Sequence, residues 1–260
     1  MTRHSLATLL CLILAVGSVF LSQTTHAAEP PLPTNKQVLA QLDDLYRSKS
    51  SHATMTMNVV KRRSTRTLTM EMWTRGQDQA LVVIRKPTRE AGTATLKNKE
   101  ELYNYAPRAD RLIRIPSGLL GSSWMGSHFS NDDLIRDTSW DKDYTTQLTW
   151  KMAGATRVLL ARMKPKPGAP VVYTLVLFTM HATHFTPIRS EFYDRGKLVR
   201  TMTYDDVKLI SGRRIPHRMV LVPANKPKER TEMIYERFEL DVVVPESTFS
   251  KRGLRRAAKR

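Results

Sequence analysis

Alternation with a period of two runs through most of this chain and decides what it can fold into. Ala53, Met55, Met57 and Val59 share one face of an extended segment, with Thr54, Thr56 and Asn58 on the other. Leu68, Met70 and Met72 repeat the arrangement against Thr67, Thr69 and Glu71. Gly76-Gln77-Asp78 then turns the chain into the apolar run Ala80–Ile84, which Pro87 ends. Further strands are predicted near 93–96, 101–105, 111–115, 144–152, 156–163, 171–180, 187–193, 198–204, 215–222 and 231–240. Asp194-Arg195-Gly196-Lys197 and Ser211-Gly212-Arg213 carry hairpin-turn chemistry. The run Val171–Met180 is apolar at both parities, which predicts a central strand covered on both sides.

Helix is scarce. Thr34 and Asn35 can cap a helix in which Val38, Leu39, Leu42, Leu45 and Tyr46 recur on one face, running to about Lys49. Ser130 or Asn131 can start a second, brief one through Asp132, Asp133, Leu134 and Ile135, where the acids suit a helix N-terminus. One sheet with that many strands must curl or split. The predicted architecture is mainly β: a strongly curved antiparallel sheet or incomplete β-barrel. An N-terminal helix and a short helical lid would close its concave side over an apolar cavity.

The lid is expected from Ser117 to Ser130, the one long apolar and small-residue segment that does not read as a strand. Its large groups, Leu119, Leu120, Trp124, Met125 and Phe129, are spaced by glycines and serines, so they sit on a free backbone. Such a segment can gate a cavity, or plug an ordinary core. Eleven methionines follow Met1 among the 12 in the chain, and flexible methionine suits a wall that accepts variable shapes. The candidate cavity and lid residues are therefore Met55, Met57, Leu68, Met70, Met72, Leu119, Leu120, Trp124, Met125 and Phe129. Trp124, Met125 and Phe129 are the candidate gate.

Residues 1–28 read as a secretory signal peptide: Arg3 and His4, an apolar run from Leu6 to Leu21, then small residues with cleavage near Ala27 or Ala28. A periplasmic location follows. The single cysteine, Cys11, lies in that run, so a domain at 29–250 would rely on its core and not on disulfides. The tail at 251–260 holds six cations and no acid and is expected to be mobile. The formal charge is +18, from 42 Lys and Arg against 24 Asp and Glu. For an exported protein this points to transient attraction to an anionic membrane surface rather than to nucleic acid. Arg62, Arg63, Arg66, Arg75, Arg108, Arg111 and Arg114 are either a solvated face or the rim of the cavity mouth.

Catalytic templates fail. Gly121-Ser-Ser-Trp-Met-Gly126 places its second glycine one residue too late for a nucleophile elbow. His181 and His184, three apart at the end of a predicted strand, would point to opposite faces and have no Cys or Glu cluster beside them. Asn131-Asp132-Asp133 lacks the spacing of a calcium loop, and Asp141 with Asp143 shows no acid–base partner. There is no phosphate-binding glycine loop. No catalytic residue, metal or cofactor is expected, and the chain does not read as an enzyme.

The run Pro116-Ser-Gly-Leu-Leu-Gly-Ser-Ser-Trp-Met-Gly-Ser-His-Phe-Ser-Asn-Asp-Asp-Leu134 resembles a segment of the bacterial outer-membrane lipoprotein-sorting proteins, the LolA-like group. Met125, Gly126, Ser127, Phe129, Ser130, Asp133 and Leu134 match its core, and Tyr204–Lys208 and Gly212–Pro216 also look like that branch. The resemblance implies an incomplete antiparallel barrel with a helical lid over an apolar cavity. It also implies carriage of lipids or lipoprotein acyl chains across the periplasm, beside an ABC or RND transporter. The chemistry is consistent. Each methylene withheld from water is worth about 0.8 kcal/mol, so chains cross an aqueous space only inside an apolar cavity that can open again.

Two other readings stay open at this stage. One is a non-transporting envelope sensor or interaction module of the same fold, which would have a filled core. The other is a hydrolase, which would need Ser122, Ser123 or His128 in a cleft with Asp141 or Asp143.

Overall fold

The computed structural model describes residues 29–45, 48–99, 101–135, 140–169 and 171–259. The signal-peptide reading of 1–28, and Tyr46, fall outside these. The main compact unit, Leu32–Arg260, is one antiparallel sheet. Its strands are β1 (Ser50–Lys61), β2 (Ser64–Arg75), β3 (Gln79–Lys86), β4 (Ala94–Asn98), β5 (Glu101–Ala106) and β6 (Arg111–Arg114). After a long crossing come β7 (Tyr144–Ala153), β8 (Thr156–Pro165), β9 (Leu175–His181), β10 (Pro187–Asp194), β11 (Lys197–Ile210), β12 (Arg213–Pro223) and β13 (Arg230–Leu240). The described residues also form four α-helices, α1 (Asn35–Asp44), α2 (Asp132–Ile135), α3 (Trp140–Asp143) and α4 (Lys251–Ala258), and four short 3₁₀ turns.

The sheet order is β6-β5-β4-β3-β2-β1-β13-β12-β11-β10-β9-β8-β7. Two meanders therefore meet where β1 pairs with β13, and the sheet stays open, with β6 and β7 as its edges. The connection 115–143 leaves one edge and re-enters at the other, so it has to cross the sheet. Register shifts at Thr54/Met55 in β1, Thr69/Met70 in β2 and Phe192/Tyr193 in β10 bend the strands where they occur. Both expected hairpin turns form, with Arg195 and Gly196 at φ 46° and 76° and Ser211 and Gly212 at 48° and 78°. Consecutive positive φ values match the twist of the flanking strands.

The inward positions of β1 and β2 behave as their alternation predicts. Ala53, Met55, Met57, Val59, Leu68 and Met70 are buried together with Met233 and Tyr235 of β13. Helix α1 starts at a capping box, in which the Thr34 hydroxyl receives the Gln37 N–H while the Gln37 side chain receives the Thr34 N–H. Its Val38, Leu39 and Leu42 pack on Leu159, Met163, Val176 and Phe178 of β8 and β9. The helix ends at Asp44, short of Lys49.

Two expectations need correction. The run Val171–Met180 is not a strand covered on both sides: β9 begins at Leu175, Val176, Phe178 and Met180 are buried, and Leu175, Leu177 and Thr179 are half-buried. Buried on both faces instead are β3 and its neighbour β4, each at four consecutive positions, and in β3 the two faces serve different cores. Its Val82 and Ile84 join the β1–β2 core, while Leu81 and Val83 join a second cluster on the opposite face with Leu96, Tyr103, Phe249 and Leu254.

That second cluster exists because the basic tail is folded, which is the other correction. Ser250 caps α4 by accepting the Gly253 N–H, Leu254 is fully buried, and the Ala257 carbonyl accepts from Arg85 Nη1 at 2.8 Å. A Cβ on Gly253 would lie 2.1 Å from the Ser247 carbonyl oxygen and 2.6 Å from that of Thr248, backbone atoms that no rotamer change moves. Gly253→Ala is therefore expected to unseat α4 at a cost of about 1–3 kcal/mol. Amide exchange read by mass spectrometry would then speed up across 251–258 and in β3 and β4.

Candidate functional site

The crossing segment closes on itself before it closes on the sheet. The Trp124 N–H donates to the Phe129 carbonyl at 2.8 Å, Asn131 N–H to Ser122 at 2.9 Å, and Asp132 N–H to Leu120 at 2.8 Å. Ser130 begins α2: its hydroxyl accepts the Asp133 N–H while the Asp133 carboxylate accepts the Ser130 N–H at 2.7 Å. Most of the segment is tight turn. Among its described residues, α-helix contributes only α2 and α3, of four residues each, and 3₁₀ turns occur at Ser117–Leu119 and Trp124–Gly126.

Trp124, His128 and Arg66 are among the side chains that moor this loop to the sheet. Trp124 is 2 % exposed, packs among Met57, Leu68, Val82 and Ile84, and donates its indole N–H to Thr95 Oγ1 on β4 at 3.1 Å. His128 hydrogen-bonds through Nδ1 to Thr231 Oγ1 at 2.8 Å and through Nε2 to Glu229 at 3.2 Å, at the start of β13. Arg66 of β2 pairs with Glu90 and donates to the Met125 carbonyl at 2.7 Å, where Met125 and Gly126 stand at φ 48° and 69°.

Beneath the loop lies a cavity of about 370 Å³, within the ordinary range of small-molecule sites. Met55, Met72 and Val82 wall one half. Phe178, Phe192, Met202, Tyr204, Met219, Met233 and Tyr235 wall the other, and Trp124, Phe129, Leu134, Trp140 and Val171–Tyr173 close it. Burial raises the Tyr204 phenol to about 12, against the opposing pull of its hydrogen bond to Ser190 and of Arg200. Tyr235 is likewise raised by burial.

One charged pair sits in this apolar wall. Arg200 of β11 forks onto Asp133 of α2, with Nη1–Oδ2 at 2.7 Å and Nη2–Oδ1 at 2.5 Å. The guanidinium lies 4.7 Å from the Phe192 ring centroid and 5.0 Å from that of Tyr173. Burial pushes the Asp133 carboxyl up, but the hydrogen bonds and charge of Arg200, with the Ser130 N–H and hydroxyl, outweigh it and hold the group below the usual carboxylate range. Burial likewise lowers Arg200, and Asp133 more than restores it. The pair bridges loop and sheet across the cavity.

The residues picked from sequence divide into three groups. Met55, Met72, Trp124 and Phe129 line the cavity, whereas Met57, Leu68 and Met70 lie wholly buried beneath it in the β1–β2 core. Met125 packs partly on that core without lining the cavity. Leu119 is 51 % exposed and Leu120 half-buried, and neither lines it, because the 3₁₀ turn at Ser117–Leu119 lies outside the Trp124 anchor. Trp124 itself is placed as an anchor, 2 % exposed and hydrogen-bonded to β4.

None of the seven arginines considered for the cavity mouth lines it. Arg66 holds the loop, Arg114 pairs with Glu101 and Arg75 with Glu246. The cation in the wall is Arg200. Its signal is parity, since Arg200, Met202 and Tyr204 share one face of β11 and line the cavity while Thr201 and Thr203 between them do not.

The His181 and His184 rings do not point apart. They stack at 3.8 Å, because the chain turns directly after β9 and folds His184 back. No group of three or more His, Cys, Asp or Glu side chains suited to a metal occurs among the described residues. The Lys166 N–H and ammonium bind the backbone carbonyls of Asp143 and Asp141, and no described contact joins either aspartate to His128, Ser122 or Ser123.

A comparison with curated proteins finds no match. Among solved structures, the chain is similar to a DUF1329 family protein from Desulfovibrio piger (TM-score 0.74, 18 % identity, 84 % of this chain and 96 % of that one). It is also similar to an outer membrane lipoprotein-sorting protein domain from Vibrio parahaemolyticus (0.72, 23 %, 84 % and 97 %). A LolA superfamily protein from Nitrosomonas europaea matches at 0.71, with 22 % identity over 85 % of this chain and 100 % of that one. A family model described as "uncharacterized protein" matches residues 76–256. The chain belongs to that family, and its open, curved antiparallel sheet is the fold of the LolA-like outer-membrane lipoprotein-sorting proteins.

Proposed function

We propose that the protein is a periplasmic carrier that holds acyl chains of lipids or lipoproteins in the cavity under the 115–143 loop and hands them between envelope membranes. The observation that carries this reading is the cavity itself: about 370 Å³ of space walled by methionine and aromatic side chains in a fold that could have packed solid. At about 30 Å³ for each group the size of a water molecule, it takes roughly a dozen such groups, room on the scale of one acyl chain with the loop as it stands. A second chain requires the loop to lift. Methionine walls suit both states, since the side chain repacks at little cost.

The fold shared with lipoprotein-sorting domains supports carriage over catalysis, and an unfilled cavity supports carriage over a purely regulatory module. Delivery to an ABC or RND transporter belongs to the same proposal.

Native mass spectrometry of the protein purified gently from the producing cell is the direct test. Protein–lipid adducts that vanish on denaturation are expected, and organic extraction should recover acyl-bearing molecules. Met219→Trp, which places an indole in the cavity, is expected to abolish the adducts while leaving the melting temperature within a few degrees of wild type. Protein that is always empty, or adducts that survive Met219→Trp unchanged, would contradict the reading.

A further inference from the structure

The face of α4 turned away from the sheet has no role in the cavity. A helix advances about 100° per residue, so Lys251, Arg252, Arg255, Arg256 and Lys259 fall within about 140° of arc, and Gly253, Leu254, Ala257 and Ala258 fill the rest. The small and apolar side is buried or half-buried on β3 and β4; Lys251 reaches over the Tyr103 ring of β5 at 4.7 Å and Arg255 is half-buried, while Arg252, Arg256 and Lys259 are exposed. No acid occurs after Glu246, and among the described residues the one carboxylate bonded to this face is Asp110, 3.3 Å from Arg255. Among the described residues, five cations thus meet one bonded carboxylate. The helix is held by Leu254 in the core and by Arg85 on the Ala257 carbonyl, so the charged side is presented in a fixed direction.

Beside it stands Val243, 96 % exposed, on the rim of a groove that Arg256 also lines. We propose that this face is a docking surface for an anionic lipid bilayer: the cations meet headgroup phosphates and Val243 enters the boundary between headgroups and chains. A row of like charges along a convex helix matches a plane of anions rather than one discrete anion, which would need converging donors. The proposal does not depend on what fills the cavity, because vesicles without cargo test it.

The experiment is co-sedimentation of the full chain with phosphatidylglycerol–phosphatidylcholine vesicles and with pure phosphatidylcholine vesicles, at low and high salt. A triple variant, Arg252→Gln with Arg256→Gln and Lys259→Gln, is compared with a control of equal net charge on the far half of the sheet, Lys151→Gln with Arg195→Gln and Lys197→Gln. Thermal melting verifies that both remain folded. The α4 triple is expected to weaken binding to anionic vesicles by about tenfold or more and the control by less than about twofold. Val243→Asp should weaken it at unchanged formal charge elsewhere. Equal losses in the two triples would show attraction by net charge alone and overturn the proposal, as would wild-type protein that does not distinguish anionic from neutral vesicles.

Discussion

Arg200→Ala is expected to destabilise the protein by about 3 kcal/mol and to loosen the 115–143 loop, because removing one partner of a buried pair strands the other charge in an apolar wall. The Asp133 side chain retains 20 % exposure against 9 % for Arg200, which places the effect at the lower end of the usual 3–5 kcal/mol. Asp133→Asn should cost a similar amount by leaving the guanidinium without its anion. Replacing both, as Arg200→Met with Asp133→Leu, should recover most of the loss, since a well-packed apolar pair often matches a buried ion pair.

The pH dependence has a definite sign. Asp133 is held below its unfolded value of about 3.9. Its contribution is therefore complete above roughly pH 4 and disappears as the pH falls through the folded value. Arg200 stays charged throughout this window. Denaturant melts of the four forms at pH 7 and pH 3 measure both effects. A single-variant loss under about 1 kcal/mol would place the pair among ordinary surface bridges and remove the latch from the account.

Trp124→Ala is expected to cost about 3–5 kcal/mol, the largest effect of any single loop residue. Its indole is 2 % exposed and fills the space among Met57, Leu68, Val82 and Ile84, and its N–H is satisfied only by Thr95. Trp124→Phe retains much of the apolar volume and isolates the hydrogen bond, with an expected cost of about 1 kcal/mol beyond the volume lost. Thr95 still donates to Asn104, so it is not left without a partner. If Trp124 is the anchor, amide exchange in Trp124→Ala should quicken throughout 117–131 while α1 and β7–β9 keep their protection. If it were a gate, its removal would open the cavity with little change in stability.

The strands were legible because alternation is a local property, and their order follows once two meanders must meet. What escaped the sequence lay in long-range pairings. Six cations in the last ten residues hide the Gly253, Leu254, Ala257 and Ala258 stripe, and with α4 unseen the double burial of β3 was invisible. Val171–Tyr173 look like the start of a strand, since apolar residues that close a cavity and those that fill a sheet have the same composition. Leu119 and Leu120 share the glycine- and serine-spaced pattern of Trp124 and Phe129, yet the turn that carries them lies outside the anchor. Asp133 was read as a helix-start acid, which it is; its bond to Arg200, 67 residues away, has no local trace.

The central claim is that the space above Met55 and Met219 is built for an acyl chain. Titration of the protein with a fluorescent fatty-acyl probe, in wild type and in Met219→Trp, tests it most directly. Saturable binding of one probe per chain, weakened at least tenfold in the variant, as about 1.4 kcal/mol or more of lost contact implies, is the predicted result. No saturable binding by the wild type, or equal binding by both forms, would contradict the account.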